Sequence, residues 1–246
     1  FTLSQKNMWN YGGTPFSNNA SLRWQSMTMN RYEWDVKETF AWNWLDSRLL
    51  RGGPDVRFGS YFLTSAKFNT DKAKRMMFML KYEGDHNFEG NRFNTISPSL
   101  TFRLGNHVYL SGQLDYAWNT DEMQYVATTS PLSSSSLAPY YYVMGHMDQK
   151  TYGLTLKLQV NVTPDISIQF YGAPFTSIAK YDDFKLAADT KSHTFENRFQ
   201  RIDPDHLTYV DGIYTIGEGA GQMPFRNPDF RFNEFRSNLV ARWEYL

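Results

Sequence analysis

The chain of 246 residues contains no cysteine. That excludes a disulfide framework and any metal held by thiolates. No charge of one sign prevails either: 25 Lys and Arg balance 25 Asp and Glu, for a formal net charge of zero. A nucleic-acid partner calls for a basic surplus, so none is expected. Long apolar runs are also missing. A helix that crosses a bilayer needs roughly 20 consecutive apolar residues, whereas the longest run here is Met76 to Leu80. His86, His107, His146, His193 and His206 form no HExxH-type pairing, so no zinc site is expected. The opening FTLSQKNMWNYGG reads as a strand and not as a signal peptide.

What the chain does have is aromatic residues: 16 Tyr, 19 Phe and 7 Trp, 17% of the total. Its mean hydropathy is nevertheless −0.56. Strands with one greasy face and one wet face give that combination, and the sequence alternates accordingly. Tyr152, Leu154, Leu156, Leu158, Val160 and Val162 share a face, opposed by Thr151, Thr155, Lys157, Gln159 and Asn161. Side chains flip at every residue of an extended strand, so this stretch is one. The pattern recurs in Tyr32–Trp44, Ile96–Leu104, Val108–Trp118 and Leu239–Tyr245, with weaker candidates at 1–11, 20–30, 56–68, 75–83, 140–149 and 166–172. Glu38 falls on the apolar side of its segment, which leaves a bulge or a register shift open. About eleven strands are expected, with a short helical stretch at 181–189.

Connections alternate between tight and long. Leu104-Gly105-Asn106-His107, Val162-Thr163-Pro164-Asp165 and Asn69-Thr70-Asp71-Lys72 read as turns. Longer stretches lie at 45–55, 84–93, 119–139 and 173–229, the last expected to be a partly ordered extracellular loop region.

Alternation alone does not say which face is inside. A soluble sandwich or lipocalin-like barrel turns the leucines inward; a membrane barrel turns them to lipid. Three features favour lipid. The apolar face from Tyr152 to Val162 covers about 33 Å of strand at ~3.3 Å per residue, where soluble strands usually stop at about five or six residues. Trp42, Trp44, Tyr116, Trp118, Tyr152, Trp243 and Tyr245 sit at the ends of apolar runs, as headgroup-level aromatics do. The polar face mixes Thr, Ser, Gln and Asn with single charges instead of being filled with Lys and Glu. The fold expected is therefore an all-β, antiparallel transmembrane β-barrel of the outer-membrane type, with short turns on one side and long loops on the other. Residues 1–246 would form a single barrel region. Leu154, Leu156, Leu158, Val160 and Val162 would face lipid; Asp35, Lys37, Arg103, Gln113, Asp115, Lys157 and Gln159 would line the lumen.

Catalytic signals are thin. Glu33 with Asp35, or Asp115 with Glu244, could serve as paired carboxylates, but a charged barrel interior accounts for them equally. Asp203, Asp205 and Asp211 do not match EF-hand spacing, and Asp-Pro-Asp is common in turns. Ser133 to Ser136 is a flexible polar tract. Tyr171, Phe175, Phe184 and Tyr209 could stack on sugars or simply pack on the rim. Arg51 to Pro54 (RGGP) reads as a turn with glycines at positive φ, leaving Arg51 to pair with a carboxylate. No cofactor, metal or catalytic residue is assigned.

RGGP, YVMGHMDQKT (Tyr142 to Thr151), TPDISIQFYGAPF (Thr163 to Phe175) and NPDFRFNEFRSNLVARWEY (Asn227 to Tyr245) are motifs of a recognisable kind. In their order and spacing the chain resembles a family of Bacteroidota outer-membrane proteins classed as domain of unknown function 5916. The resemblance implies a carboxy-terminal barrel region that follows a module like carbohydrate-binding family 9. That module is not in these residues, and the family runs on past its RWEY motif, so the resemblance implies an incomplete barrel. The function expected is a channel or transport component of the bacterial outer membrane, or a membrane anchor for a carbohydrate-recognising module. Its partners would be membrane lipid, carbohydrate or other envelope proteins. The alternatives are a cell-envelope glycan-processing protein with catalysis outside this segment, and a soluble β-sandwich binding module.

Overall fold

The computed structural model describes residues 1–13, 15–42, 44–105, 107–132 and 139–245, and the side chains of Phe16 and Ala220 are left out of the description. The polar tract Ser133 to Ser136 and Asn106 of the Gly-Asn turn lie outside the described residues. Strands hold 71% of the described residues. In order they are β1 (Thr2–Trp9), β2 (Pro15–Met27), β3 (Glu33–Trp42), β4 (Trp44–Asp46), β5 (Val56–Phe58), β6 (Tyr61–Asn69), β7 (Met76–Asn87), β8 (Arg92–Leu104), β9 (Val108–Thr129), β10 (Tyr141–Thr163) and β11 (Ile166–Ala187). Then come the one-turn α1 (Phe195–Arg198), β12 (Phe199–Arg201), β13 (Leu207–Val210), β14 (Ile213–Ile216), β15 (Met223–Arg226) and β16 (Phe230–Trp243).

Eleven strands make one antiparallel sheet, ordered β1-β2-β3-β6-β7-β8-β9-β10-β11, with β12 and β16 both paired to β11. Nearly every neighbour in space is a neighbour in sequence, so the sheet is a meander. Two small sheets, β4-β5 and β13-β14-β15, stand apart from it. Among the described residues β1 pairs only with β2, and β16 only with β11, so the sheet has two edges and is not closed. The chain is an all-β protein with an open amphipathic sheet.

The connections sort by end. At one end lie 28–32, 70–75, 105–107 and the two-residue Pro164-Asp165 turn; at the other lie 10–14, 43–60, 88–91, 130–140 and 188–229. Several loops expected from the sequence are shorter than that reading. β7 and β8 leave only 88–91 between them, and β9 continues to Thr129. β11 runs to Ala187, so the long connection is 188–229 and not 173–229, and 181–189 is mostly strand, not helix. At the strand tops both faces are covered, Val143 packing in one apolar cluster and its neighbour Met144 in another, so the alternation of apolar with polar residues fades.

The hairpin ends are staggered. The row Glu33–Asn69–Met79–Ser99–Gln113–Thr155 crosses six strands by direct pairing. β2 and β3 stop pairing at this row with Met27↔Glu33, and β6 and β7 with Asn69↔Met79; β8 and β9 pair on to Leu104↔Val108, and β10 and β11 to Thr163↔Ile166. Averaged from the β2–β3 to the β10–β11 hairpin, the end recedes by about one residue or slightly more per strand, which at ~3.3 Å per residue and ~4.8 Å per strand is a mean slope of roughly 35–43°.

Glu38 needs neither a bulge nor a shift. Its pairing with Leu22 and Thr64 is in regular register, and its carboxylate accepts a 3.0 Å hydrogen bond from the Thr64 hydroxyl. Pro98 does disturb a ladder: β8–β9 pairing stops at Ile96↔Tyr116 and resumes at Ser99↔Gln113, as a residue without an N–H requires.

The tops of β9, β10 and β11 carry the hydrophobic cores. One contains Leu50, Val56, Met123, Met144 and Phe199; the other contains Val143, Phe184, Ile216 and Phe225. RGGP closes against the first. Arg51 (φ 49°) and Gly52 (φ 108°) make the turn. The Arg51 guanidinium lies 4.7 Å over the Tyr125 ring instead of pairing with a carboxylate. A methyl group at Gly53 would lie 2.7 Å from Leu50 Cβ and from the Tyr142 ring. Gly53→Ala should therefore cost about 1–3 kcal/mol through overpacking, read as a lower denaturation midpoint. Gly13→Ala, in open space but at positive φ, should not loosen the Leu50 core by limited proteolysis.

Candidate functional site: a two-faced sheet and the ion cluster above it

Cross-strand partners in a sheet share a face, so the pairing fixes which residues stand together. Asp35, Lys37, Arg103, Gln113, Asp115, Lys157 and Gln159 all project from one face. Lys157, for example, pairs with Ser111 and Tyr171, and Gln159 with Tyr109 and Gln169. Leu154, Leu156, Leu158 and Val160 project from the other, beside Leu114, Leu110, Phe170 and Ile168. Val162 falls at the register irregularity between Asn161 and Thr163.

The polar face is knit by hydrogen bonds and ion pairs. The Arg23 guanidinium pairs with Asp35, to which Gln25 also donates; Lys72 and Asn69 donate to Glu33; Gln113 donates to Asp115 at 2.9 Å. Small residues on this face, Ser21, Thr39, Ser97 and Ser177, are buried among longer neighbours. Neither suggested carboxylate pair gains a partner suited to acid–base work. Glu33 and Asp35 are tied to cations, and Asp115 lies in the row of Gly153 and Phe175, far along the strands from Glu244, whose backbone N–H bonds Asp165.

Among the described residues nothing covers the apolar face. Leu114 is 57% exposed, Leu156 39% and Leu239 68%. Aromatic rings bound it at both ends. Toward the long connections, Tyr116 stacks on Trp118 and on Tyr152, and Phe40 on Trp42. Toward the turns, Trp34 and Tyr32 pack on Phe68, and Trp243 lies 6.1 Å from Tyr245. The turn-side group around Phe68 and Phe78 was not assigned from sequence, because single aromatics on separate strands align only through pairing. Trp44 sits off the main sheet, edge-on to Tyr61. Hydrogen-bonded polar pairs interrupt this face, among them Glu38 with Thr64, Thr176 with Asn233, and Gln5 with Asn7.

Above the sheet the structure gathers charges that sequence reading missed. Arg198 on α1 is fully buried. Its guanidinium pairs in two-pronged fashion with Glu89 and donates to the carbonyls of Arg57 and His193, leaving Nε without a partner. Glu89 also accepts the Gly59 N–H at 3.0 Å. One ion pair thus ties the 88–91 turn, the β4-β5 hairpin and α1. Nearby, buried Lys185 lies 3.3 Å from Asp183 and 3.9 Å from Glu122, with the Phe195 and Phe199 rings beside it. Glu122 in turn meets His146 Nδ1 at 3.0 Å. No local signal links partners separated by 109 positions. Among the described residues no three His, Asp or Glu converge as metal ligands. Asp203 caps a 3-10 turn by accepting the Asp205 N–H, and Asp211 stands in the β13–β14 turn. Phe184 packs in the second core; Tyr171 and Phe175 are strand residues on the polar face, and Tyr209 lies on Tyr214.

These residues define a class: an all-β protein built on a single amphipathic antiparallel sheet with an ion-paired cap. Residues 3–215 match the domain of unknown function DUF5916, and the chain belongs to that family. No curated protein and no solved structure matches it.

Breaking a buried ion pair strands one charge. Arg198→Ala should cost about 3–5 kcal/mol, seen as early proteolysis within 188–226, whereas Arg201→Ala at the exposed partner of Asp183 should cost under about 1 kcal/mol.

Burial pushes the Asp121 carboxyl above its usual range; the Met123 N–H it accepts at 2.8 Å pulls the other way. A raised folded-state value means the protonated form is favoured on folding. That stabilisation is complete below the ordinary carboxylate range and is lost as pH rises through the raised value. Asp121→Asn keeps the acceptor for Met123 without the charge. Its melting temperature should exceed wild type near neutral pH, and the gap should close in acid.

Proposed function

We propose that the chain is the membrane-spanning part of an outer-membrane β-barrel, with the apolar face against lipid and the polar face lining the interior. The observation that carries this reading is the uncovered apolar face running across the sheet, bounded at both ends by aromatic rows. Soluble monomers rarely expose contiguous apolar patches beyond a few hundred Å². Aromatic girdles around an apolar band are the habit of transmembrane barrels. The slope of roughly 35–43° derived from the stagger matches the strand tilt such barrels need.

A sandwich would require a second sheet on the leucines. The two small sheets instead join the cores at the strand tops, around Val126, Val143 and Phe184. Glu38 on the lipid side is supported by its bond from Thr64, and acidic residues there cost less than basic ones. The free edges of β1 and β16 would be paired in the bilayer, with each other or with further strands, since unpaired backbone is not tolerated in hydrocarbon. The polar lining of paired charges suits a water-filled or hydrogen-bonded interior. As a channel the protein would pass small solutes; as an anchor it would hold the envelope module that the family resemblance implies.

Leu156→Arg should cost roughly 2–4 kcal/mol in folding into lipid vesicles, and Gln159→Arg far less. Similar small costs at both positions would refute the lipid assignment. Ion conductance across planar bilayers separates channel from anchor: the anchor gives none.

A further inference from the structure

We infer that the loop-side rim of the apolar face carries a binding site for the phosphate of an anionic lipid headgroup, formed by Lys150, Lys180 and Arg231. The inference rests on the membrane reading above. Lys150 and Arg231 are the two cross-strand partners of Ile178, one on each side, and Lys180 follows Ile178 by two residues on the same face. Three cations therefore surround one isoleucine. All three are exposed, and none makes an ion pair among the described residues. Two carboxylates in the neighbourhood share this face: Asp148, the cross-strand partner of Lys180, which accepts the Thr120 hydroxyl at 2.9 Å and lies 3.6 Å from His146 Nε2, and Asp182, two residues past Lys180 and opposite His146; neither comes within ion-pair distance of the three cations. A depression of about 470 Å³ opens here, lined by Trp118, Tyr152, Ile178, Lys150 and Lys180.

The position along the strands selects the occupant. Lys150 stands one step beyond Tyr152, the aromatic that closes the leucine face. It lies twelve residues from Val162, about 30 Å up a strand tilted by ~40°. That height is just past an apolar band of about 25 Å. Side chains there meet headgroups, with acyl chains below them on Tyr152 and Leu154. Unpaired cations at that level attract anionic lipid. A dissolved phosphate would gain nothing from Trp118 and Tyr152.

The test uses the full chain in detergent, with native mass spectrometry counting bound bisphosphorylated glycolipid (lipid A) against phosphatidylcholine. Wild type should retain lipid A selectively. Lys150→Gln/Lys180→Gln/Arg231→Gln should retain it at least about tenfold less, each cation near an anionic surface being worth roughly fivefold. Lys74→Gln, at the turn end, should match wild type. Equal retention by the triple variant, or equal binding of phosphatidylcholine by wild type, overturns the site. Displacement of lipid A by inorganic phosphate at matched concentration also overturns it. Insertion into pure phosphatidylcholine vesicles separates the two readings. Insertion with undiminished lipid A retention by the variant removes the site alone; failure of wild type to insert removes the membrane reading and the site with it.

Discussion

The separation of polar from apolar side chains across paired strands is the constraint on which the rest depends. A slip of one residue in any strand would send its leucines to the polar face. Regular register from β2 to β11 is what lets Leu22, Val36, Ile96, Leu114 and Leu156 belong to one surface. The few departures lie at Pro98, at Pro174, near the Pro164 turn and in the upper reaches of β9 and β10. There the ladder either lacks a donor or has left the amphipathic zone.

The sheet and the cap are stabilised by different physics. In the sheet, pairing and ring-to-ring contacts hold strands whose apolar side chains touch only one another at their flanks. The cap contains the buried hydrophobic clusters, and it buries charge. Arg198 would be very costly to desolvate alone; Glu89, two carbonyls and the ring of Phe195 at 5.4 Å offset much of that cost. Such a pair adds little net stability over an apolar substitute, but it admits few alternative arrangements. It fixes where the β4-β5 hairpin and α1 sit over the strand tops.

This division bears on the proposed function. Under that proposal the exposed leucines and the aromatic rows would contact lipid, and the paired charges of the opposite face would line a wet interior. The cap stands at the end where connections are long, and under the same proposal it would be the part of the chain that meets solutes or other envelope proteins. The cation triad around Ile178 lies between these zones, where the strands leave the apolar band.

Much of the sheet was legible in the sequence, because alternation is a local property with a period of two residues. Lys157 and Leu158 declare opposite faces without knowledge of any other strand. The strand tops were not legible: from Lys180 to Ala187 the strand enters the cap, where Phe184 and Leu186 pack in one cluster and Ala187 against the other, so the period of two disappears and the segment reads as a short helix. The ion pair of Arg198 with Glu89 and the clustering of Lys150, Lys180 and Arg231 had no sequence signal, since each depends on which strands become neighbours. By itself the sequence determined an all-β chain with two chemically distinct faces. Only the tertiary structure decided that nothing among the described residues covers the apolar one, because coverage is set by long-range pairing and not by the order of side chains along a strand.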